Sequence, residues 1–227
     1  EEFGKASDVW KVSLRDLPYV VSQKKLGATT VAATMRIASM AGIKVFVTGG
    51  IGGVHRGAEQ TMDISADLTE MAQTDVAIVS AGVKSILDIG LTLEDLETLG
   101  IPVVTFGSDE FPSFYSRESG YKSPLRLDDP AAIAEMLQAK WSMGLKGSVL
   151  IANPLSQEAS IDRQEMELHI QEALTAAERA GISGKEVTPF LLKYIANHTK
   201  GESLDANIAL IRSNAALGAR IACSLKE

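Results

Sequence analysis

The stretch Ala41-Gly42-Ile43-Lys44-Val45-Phe46-Val47-Thr48-Gly49-Gly50 leaves an amphipathic segment through a glycine, enters a short β-branched run and opens into more glycines. Gly42 stands where a helix closes in a left-handed cap. Val45 to Thr48 is too short and too β-branched for a helix, so it reads as a buried strand. The same unit recurs outward from this point. Val76 to Ser80, Val103 to Phe106 and Val149 to Ala152 are runs of the same kind, and Leu99-Gly100-Ile101-Pro102 repeats the glycine cap. Helical patterns lie around them at about Leu26 to Ala41, Ala66 to Gln73, Leu93 to Leu99 and Pro130 to Met143. Thr92 with Asp95 reads as the cap of the third, and Asp129-Pro130 as the start of the fourth. The alternation predicts a layered α/β fold, with helices flanking a largely parallel or mixed central sheet.

After Pro154 no further β-branched run appears. A charged helical pattern from Ile161 to Ala180, closed by Gly181, begins a helical C-terminal third. No Pro/Gly/Ser-rich linker interrupts the chain, so residues 1–227 read as one α/β domain. The opening Glu1-Glu2-Phe3-Gly4 has no initiator Met, which predicts that the chain lacks an N-terminal segment of a longer product.

Composition narrows the function. With 45% hydrophobic and 22% charged residues the chain can bury a sizeable core, and its net charge of -7 offers no electrostatic footprint for nucleic acid. Apolar runs such as Val76-Ala77-Ile78-Val79 fall far short of the ~20 residues of a membrane span, so no membrane partner is expected. The single cysteine, Cys223, lies in an apolar helical stretch and reads as a small buried residue. One unpaired thiol points to a reducing, cytoplasmic compartment.

Ligands of open α/β sheets gather beyond the carboxyl ends of the strands. The first such segment, Thr48 to Gly57, holds five glycines in ten residues and ends in His55-Arg56-Gly57. With Gly50 and Gly52 as the first two glycines of a dinucleotide fingerprint, the third falls on His55, and no Gly-Lys-Ser/Thr ending makes a P-loop. NAD and ATP lose support, and with them a Rossmann-type dehydrogenase. The segment reads either as an anion loop with exposed N–H groups, helped by His55 and Arg56, or as a glycine-rich turn with a solvated arginine.

Three further segments carry chemistry. Asp63-Ile64-Ser65-Ala66-Asp67 sets two carboxylates and a hydroxyl ahead of a helix, which suits a hard cation or a helix cap. Ser80-Ala81-Gly82-Val83-Lys84-Ser85 places one lysine after a buried strand among small residues. Desolvation there lowers an amine's pKa and lets it attack a carbonyl carbon, although most lysines reach solvent instead. Lys11 alternates with Trp10 and Val12, as on an edge strand or beside a phosphate. His169 and His198 sit in charged helical stretches without a metal-ligand spacing and read as surface or capping groups.

Together Lys11-Val-Ser-Leu-Arg-Asp-Leu-Pro, Gly49-Gly-Ile-Gly-Gly-Val-His-Arg-Gly, Asp63-Ile-Ser-Ala-Asp and Ser80-Ala-Gly-Val-Lys-Ser-Ile-Leu-Asp strongly resemble the pseudouridine-5'-phosphate glycosidase family, which includes indigoidine synthase A-like proteins. Thr188-Pro-Phe-Leu-Leu and Ser203-Leu-Asp-Ala-Asn-Ile-Ala-Leu extend the match into the closing helices. The resemblance implies reversible cleavage of pseudouridine 5'-phosphate, with water, to uracil and ribose 5-phosphate. It implies Lys84 as nucleophile through an imine, Asp63 as ligand of a divalent metal such as manganese, and a homotrimer. Substrate contacts carried over by motif are Lys11, Val31, Ser65, Ala66 and Asp67, with His55 and Asn207 inferred as members of the site.

The family's general-acid glutamate falls in a segment ahead of Lys11 that has no counterpart in this sequence. The competing expectation is therefore a non-catalytic sugar-phosphate or nucleotide-binding protein.

Overall fold

The computed structural model describes residues 5–6, 8–182, 184–199 and 201–225. Along the chain come β1 (Trp10–Val12), α1 (Leu17–Ser22), β2 (Gly27–Thr29), α2 (Val31–Met40), β3 (Val45–Val47), β4 (Val54–His55) and α3 (Ala58–Thr61). Next are α4 (Ala66–Met71), β5 (Ala77–Ser80), β6 (Leu87–Asp88), α5 (Ile89–Thr98), β7 (Val103–Phe106), β8 (Leu125–Leu127) and α6 (Pro130–Ser142). The chain closes with β9 (Leu150–Ala152), α7 (Arg163–Arg179), α8 (Val187–His198) and α9 (Glu202–Ser224). The central sheet has the order β3-β5-β9-β7-β8, and every pairing in it is parallel. All four apolar runs are strands of this sheet, and the C-terminal third is helical as expected.

Strand alternation sorts the core into two layers. Ala77, Val79, Val149 and Ile151 face α6 and α9, where they pack with Ile133, Leu137, Leu217 and Ile221. Ile78, Leu150 and Ala152 face the opposite way, toward Met35 of α2, Leu68 of α4, Leu96 of α5 and Ile170 of α7. In α9 the residues Ser203, Ala206, Leu210, Asn214, Leu217 and Ile221 are buried, a stripe spaced three or four apart along one helix face. Gly218 in that stripe lets the helix settle onto β3, since a Cβ there would overlap Val47 Cγ2.

Several expectations are corrected. The helix expected from Leu26 begins at Val31, because Gly27–Thr29 forms β2 in parallel register with β1. Gly27 permits that pairing: a Cβ there would lie 2.5 Å from Val12 Cγ2. The helix expected from Leu93 begins at Ile89, and its cap is Asp88, whose carboxylate accepts from Leu91 N at 2.9 Å. Thr92 is instead buried within the helix. Cys223 is exposed, because it falls off the buried stripe of α9. The edge strand β8 lacks any apolar run, and its central Arg126 pairs with Asp109 and Asp128.

Candidate functional site

The chain segments leaving β3 and β5 remain paired beyond the sheet. Ala81 N donates to Gly49 O at 2.8 Å, Ile51 N to Gly82 O at 3.0 Å and Lys84 N to Ile51 O at 3.1 Å. They then close the antiparallel pair β4–β6, which sets His55 opposite Leu87. This pairing carries Lys84 and His55 to the same edge of the sheet, beyond its carboxyl ends.

Five charged or titratable side chains converge there. The Lys84 amine is held below the usual lysine range, first by burial and then by the positive charge of Lys11, while Asp67 opposes the shift. Lys11 reaches this cluster from the exposed side of β1. His55 lies below its ordinary range, chiefly through burial; Asp63 opposes this, and Lys11 and Lys84 add to it. Its imidazole Nδ1 stands 3.8 Å from Asp63 Oδ2, and the Asp63 side chain is 40% exposed. His55 is therefore neutral at pH 7 beside a carboxylate that faces solvent.

Asp67 is committed to the fold as well as to the charge balance. Its Oδ1 accepts from Ala32 N and its Oδ2 from Gly52 N, each at 2.8 Å, and the residue is only 4% exposed. One carboxylate thus ties the first turn of α2, the glycine segment and α4 together. Val31 is buried beside Ala32 in that first turn. Ser65 caps α4 by accepting from Asp67 N at 3.2 Å, and Ala66 is exposed at the helix start. Asn207, partly buried on α9, sits against the end of β3, with its Oδ1 3.6 Å from where a Gly49 Cβ would stand.

Much of the glycine segment is approached by the protein itself. A Cβ at Gly50 would lie 2.6 Å from Phe114, one at Gly52 would lie 2.7 Å from Asp67 Oδ2, and one at Gly53 would overlap Thr92. The approach that these glycines allow is by the protein's own side chains. The N–H groups of Ile51, Gly52, Val54 and His55 already donate to Gly82 O, Asp67, Thr92 and Asp63 O. Arg56 is only partly exposed and is committed elsewhere, because it donates to Glu167 at 2.5 and 2.9 Å and to Ser85 O at 3.3 Å.

Two further asparagines belong to this end of the sheet. Asn153, next after β9, donates to Asn214 Oδ1 at 3.0 Å, and Asn214 donates to Thr48 O at 2.9 Å. The signal for Asn214 is its spacing of seven residues from Asn207, which sets the two on one face of α9; Asn153 carries no such signal. His198 bonds to Tyr194 O and stacks on its ring, while His169 pairs with Glu172 on α7; neither is near the cluster's other groups in sequence or by contact.

Among the described residues no three His, Cys, Asp or Glu side chains gather as a metal cage. One half-exposed carboxylate beside a neutral imidazole does fit a hard divalent cation that keeps most of its own waters. Asp63 is the residue that would hold it.

The family profile described as "Indigoidine synthase A like protein" matches residues 1–224. The chain is 60% identical to a pseudouridine-5'-phosphate glycosidase of Nocardioides sp., over 95% of this chain and 70% of that protein. It is 58% identical to the enzyme of that name from Geobacillus kaustophilus, over 99% of this chain and 75% of the relative. Among solved structures, the prealnumycin C-glycosynthase AlnA in complex with ribulose 5-phosphate superposes with a TM-score of 0.90 at 39% identity, over 97% of this chain and 72% of the other. An indigoidine synthase A-like protein from Thermotoga maritima gives 0.88 at 40% identity, over 98% and 73%. No helix among the described residues is long and apolar enough to cross a membrane. With a match across nearly the whole chain and relatives at this identity, the chain belongs to the indigoidine synthase A-like family, the family of the pseudouridine-5'-phosphate glycosidases that it resembles.

Proposed function

We propose that this chain cleaves the C–C glycosidic bond of pseudouridine 5'-phosphate reversibly, giving uracil and ribose 5-phosphate, with Lys84 as the covalent nucleophile. The observation that carries the reading is the partly buried Lys84 amine, less basic than an ordinary lysine, at the carboxyl end of β5. Relatives that share more than half of this sequence bear the name of that activity. A protein that only held a sugar phosphate would have no use for an amine made less basic by burial at that position.

The chemistry explains the need for an amine. The bond to be broken joins ribose C1' to uracil C5, and no nitrogen leaving group is present. Attack of Lys84 Nζ on C1' breaks the bond to the ring oxygen, which takes up a proton. The nitrogen lone pair then forms C1'=N as the C1'–C5 bond breaks, and its electron pair takes a proton at C5 to give uracil. Water adds to the imine and releases ribose 5-phosphate and the free amine. Asp67 stands near Lys84, where its carboxylate favours the protonated imine, and Lys11 supplies a cation for the phosphate. Val31, Ser65, Ala66, His55 and Asn207 shape the space around the sugar and base. A hydrated divalent cation, manganese by family resemblance, supplies positive charge beside the uracil when held by Asp63.

The same resemblance carries a homotrimer, the single unpaired thiol carries a cytoplasmic setting, and residues 1–227 act as one α/β domain in this reading. The test is release of uracil from pseudouridine 5'-phosphate. Lys84→Met is expected to lower turnover by at least ~10³-fold with the fold intact. Turnover within a few-fold of the parent chain would overturn the nucleophile assignment.

A further inference from the structure

Where α9 crosses the end of β3, the parallel ladder to β5 changes phase. Ala77 N donates to Lys44 O at 2.8 Å and Thr48 N to Val79 O at 3.0 Å. Continued in steps of two, that pattern would bring Ala81 N to Thr48 O. Ala81 N donates instead to Gly49 O at 2.8 Å, and from there Ile51 makes the bonds, giving its N–H to Gly82 O and accepting from Lys84 N. The change leaves Thr48 O without its strand partner, and the Asn214 side chain fills that place by donating to it at 2.9 Å.

A backbone carbonyl only accepts, so Asn214 has to turn its NH₂ toward Thr48 O, and its Oδ1 is left to accept from Asn153 Nδ2 at 3.0 Å. Asn153 is itself anchored, its N–H donating to Ser80 O at 2.7 Å and its side chain also to Ser213 Oγ at 2.9 Å. Both residues are buried. Along α9, Ala206 and Leu210 belong to one core layer and Leu217 and Ile221 to the other, so Asn214 stands where the helix passes between them. Aliphatic contacts hold a helix at its distance yet tolerate sliding, whereas buried hydrogen bonds fix its register. Two turns back on the same face, Asn207 rests against Gly49. We infer that Asn214, oriented by Asn153, is a positioning residue: by claiming the Thr48 carbonyl it fixes α9 so that Asn207 is held at the site, an inference that rests on the function proposed above.

The test is a cycle of variants in the full chain, read as kcat/KM for uracil release from pseudouridine 5'-phosphate per folded chain. Asn214→Ala and Asn207→Ala are each expected to lower it at least ~10-fold, and the double variant to fall no more than ~2-fold below Asn207→Ala. Gly218→Ala, on the same helix, is the control for lost stability and is expected to keep the parent's value. Asn153→Ala leaves the Thr48 contact in place and removes the group that orients the amide, so it serves if Asn214→Ala does not fold. It is expected to lower kcat/KM at least ~3-fold, and by no more than ~2-fold when Asn207 is already alanine. Losses that multiply in the double variants overturn the inference and leave the Lys84 assignment standing. So does an Asn207→Ala variant as active as the parent, or an asparagine variant at position 214 or 153 that matches Gly218→Ala. A parent chain that releases no uracil removes both readings together.

Discussion

Asp67 Oδ2 accepts the Gly52 N–H at 2.8 Å, and the absence of a side chain at Gly52 is what lets the carboxylate approach. The same carboxylate holds Ala32 N, so one residue fixes the glycine segment against α2 and stands near Lys84. Asp67→Asn keeps one acceptor and turns an NH₂ toward a backbone N–H. It is expected to destabilise the protein by about 1–3 kcal/mol, read as a lower urea midpoint. An unchanged midpoint would show that the contacts are dispensable.

Gly52→Ala tests the other partner. Its Cβ would overlap Ser65 Oγ and lie 2.7 Å from Asp67 Oδ2. A loss of roughly 1–3 kcal/mol is expected, with turnover lowered more steeply than stability, since the overlap displaces Asp67. Gly218→Ala, whose Cβ meets Val47 Cγ2 far from the cluster, is expected to cost similar stability and leave turnover per folded chain unchanged.

The nucleophile must be neutral, so turnover is expected to rise with pH through the Lys84 pKa, on a limb centred below 10.5. Lys11→Met removes a positive charge that lowers this pKa, so the limb moves to higher pH. Removing the Asp67 charge, which raises it, moves the limb the other way. A limb that stays in place in Lys11→Met would contradict the electrostatic account.

His55 tests the acid side. Burial holds its pKa below 6.5, with Asp63 opposing and Lys11 and Lys84 adding. The neutral form is therefore the one that the fold prefers. Its contribution to stability is fully present above 6.5 and is lost as pH falls through the depressed folded value. Asp63→Asn removes the opposing charge, so NMR titration of the imidazole is expected to move further down. A move upward would contradict the assigned pairing. The same variant is expected to abolish saturable manganese binding, measured by water proton relaxation; retained binding would remove Asp63 as the ligand.

The sheet was legible because its central strands are short apolar runs rich in β-branched residues, two of them entered through the glycine caps at Gly42 and Gly100, and burial of β5 and β9 on both faces demands that composition. What escaped was held by contacts distant in sequence. β2 pairs with β1 through a glycine that resembles a weak helix residue, and β8 is an exposed edge whose Arg126 is satisfied by acids. Thr92 looks like a cap by its neighbours, yet its hydroxyl serves Val54 N, thirty-eight residues away. At the site, the motifs named side chains that the fold brings together, but the glycine composition did not say which of those glycines the protein's own side chains approach. Glycines report close approach without reporting whether ligand or protein makes it.

The central claim is that Lys84 forms an imine with the sugar. Borohydride trapping with ribose 5-phosphate, followed by peptide mapping, addresses it most directly, with Lys84→Ala and unphosphorylated ribose as controls for random glycation. The account predicts a reduced adduct concentrated on the Lys84 peptide, dependent on the phosphate and absent in Lys84→Ala. Labelling spread over many lysines and unchanged in Lys84→Ala would contradict it.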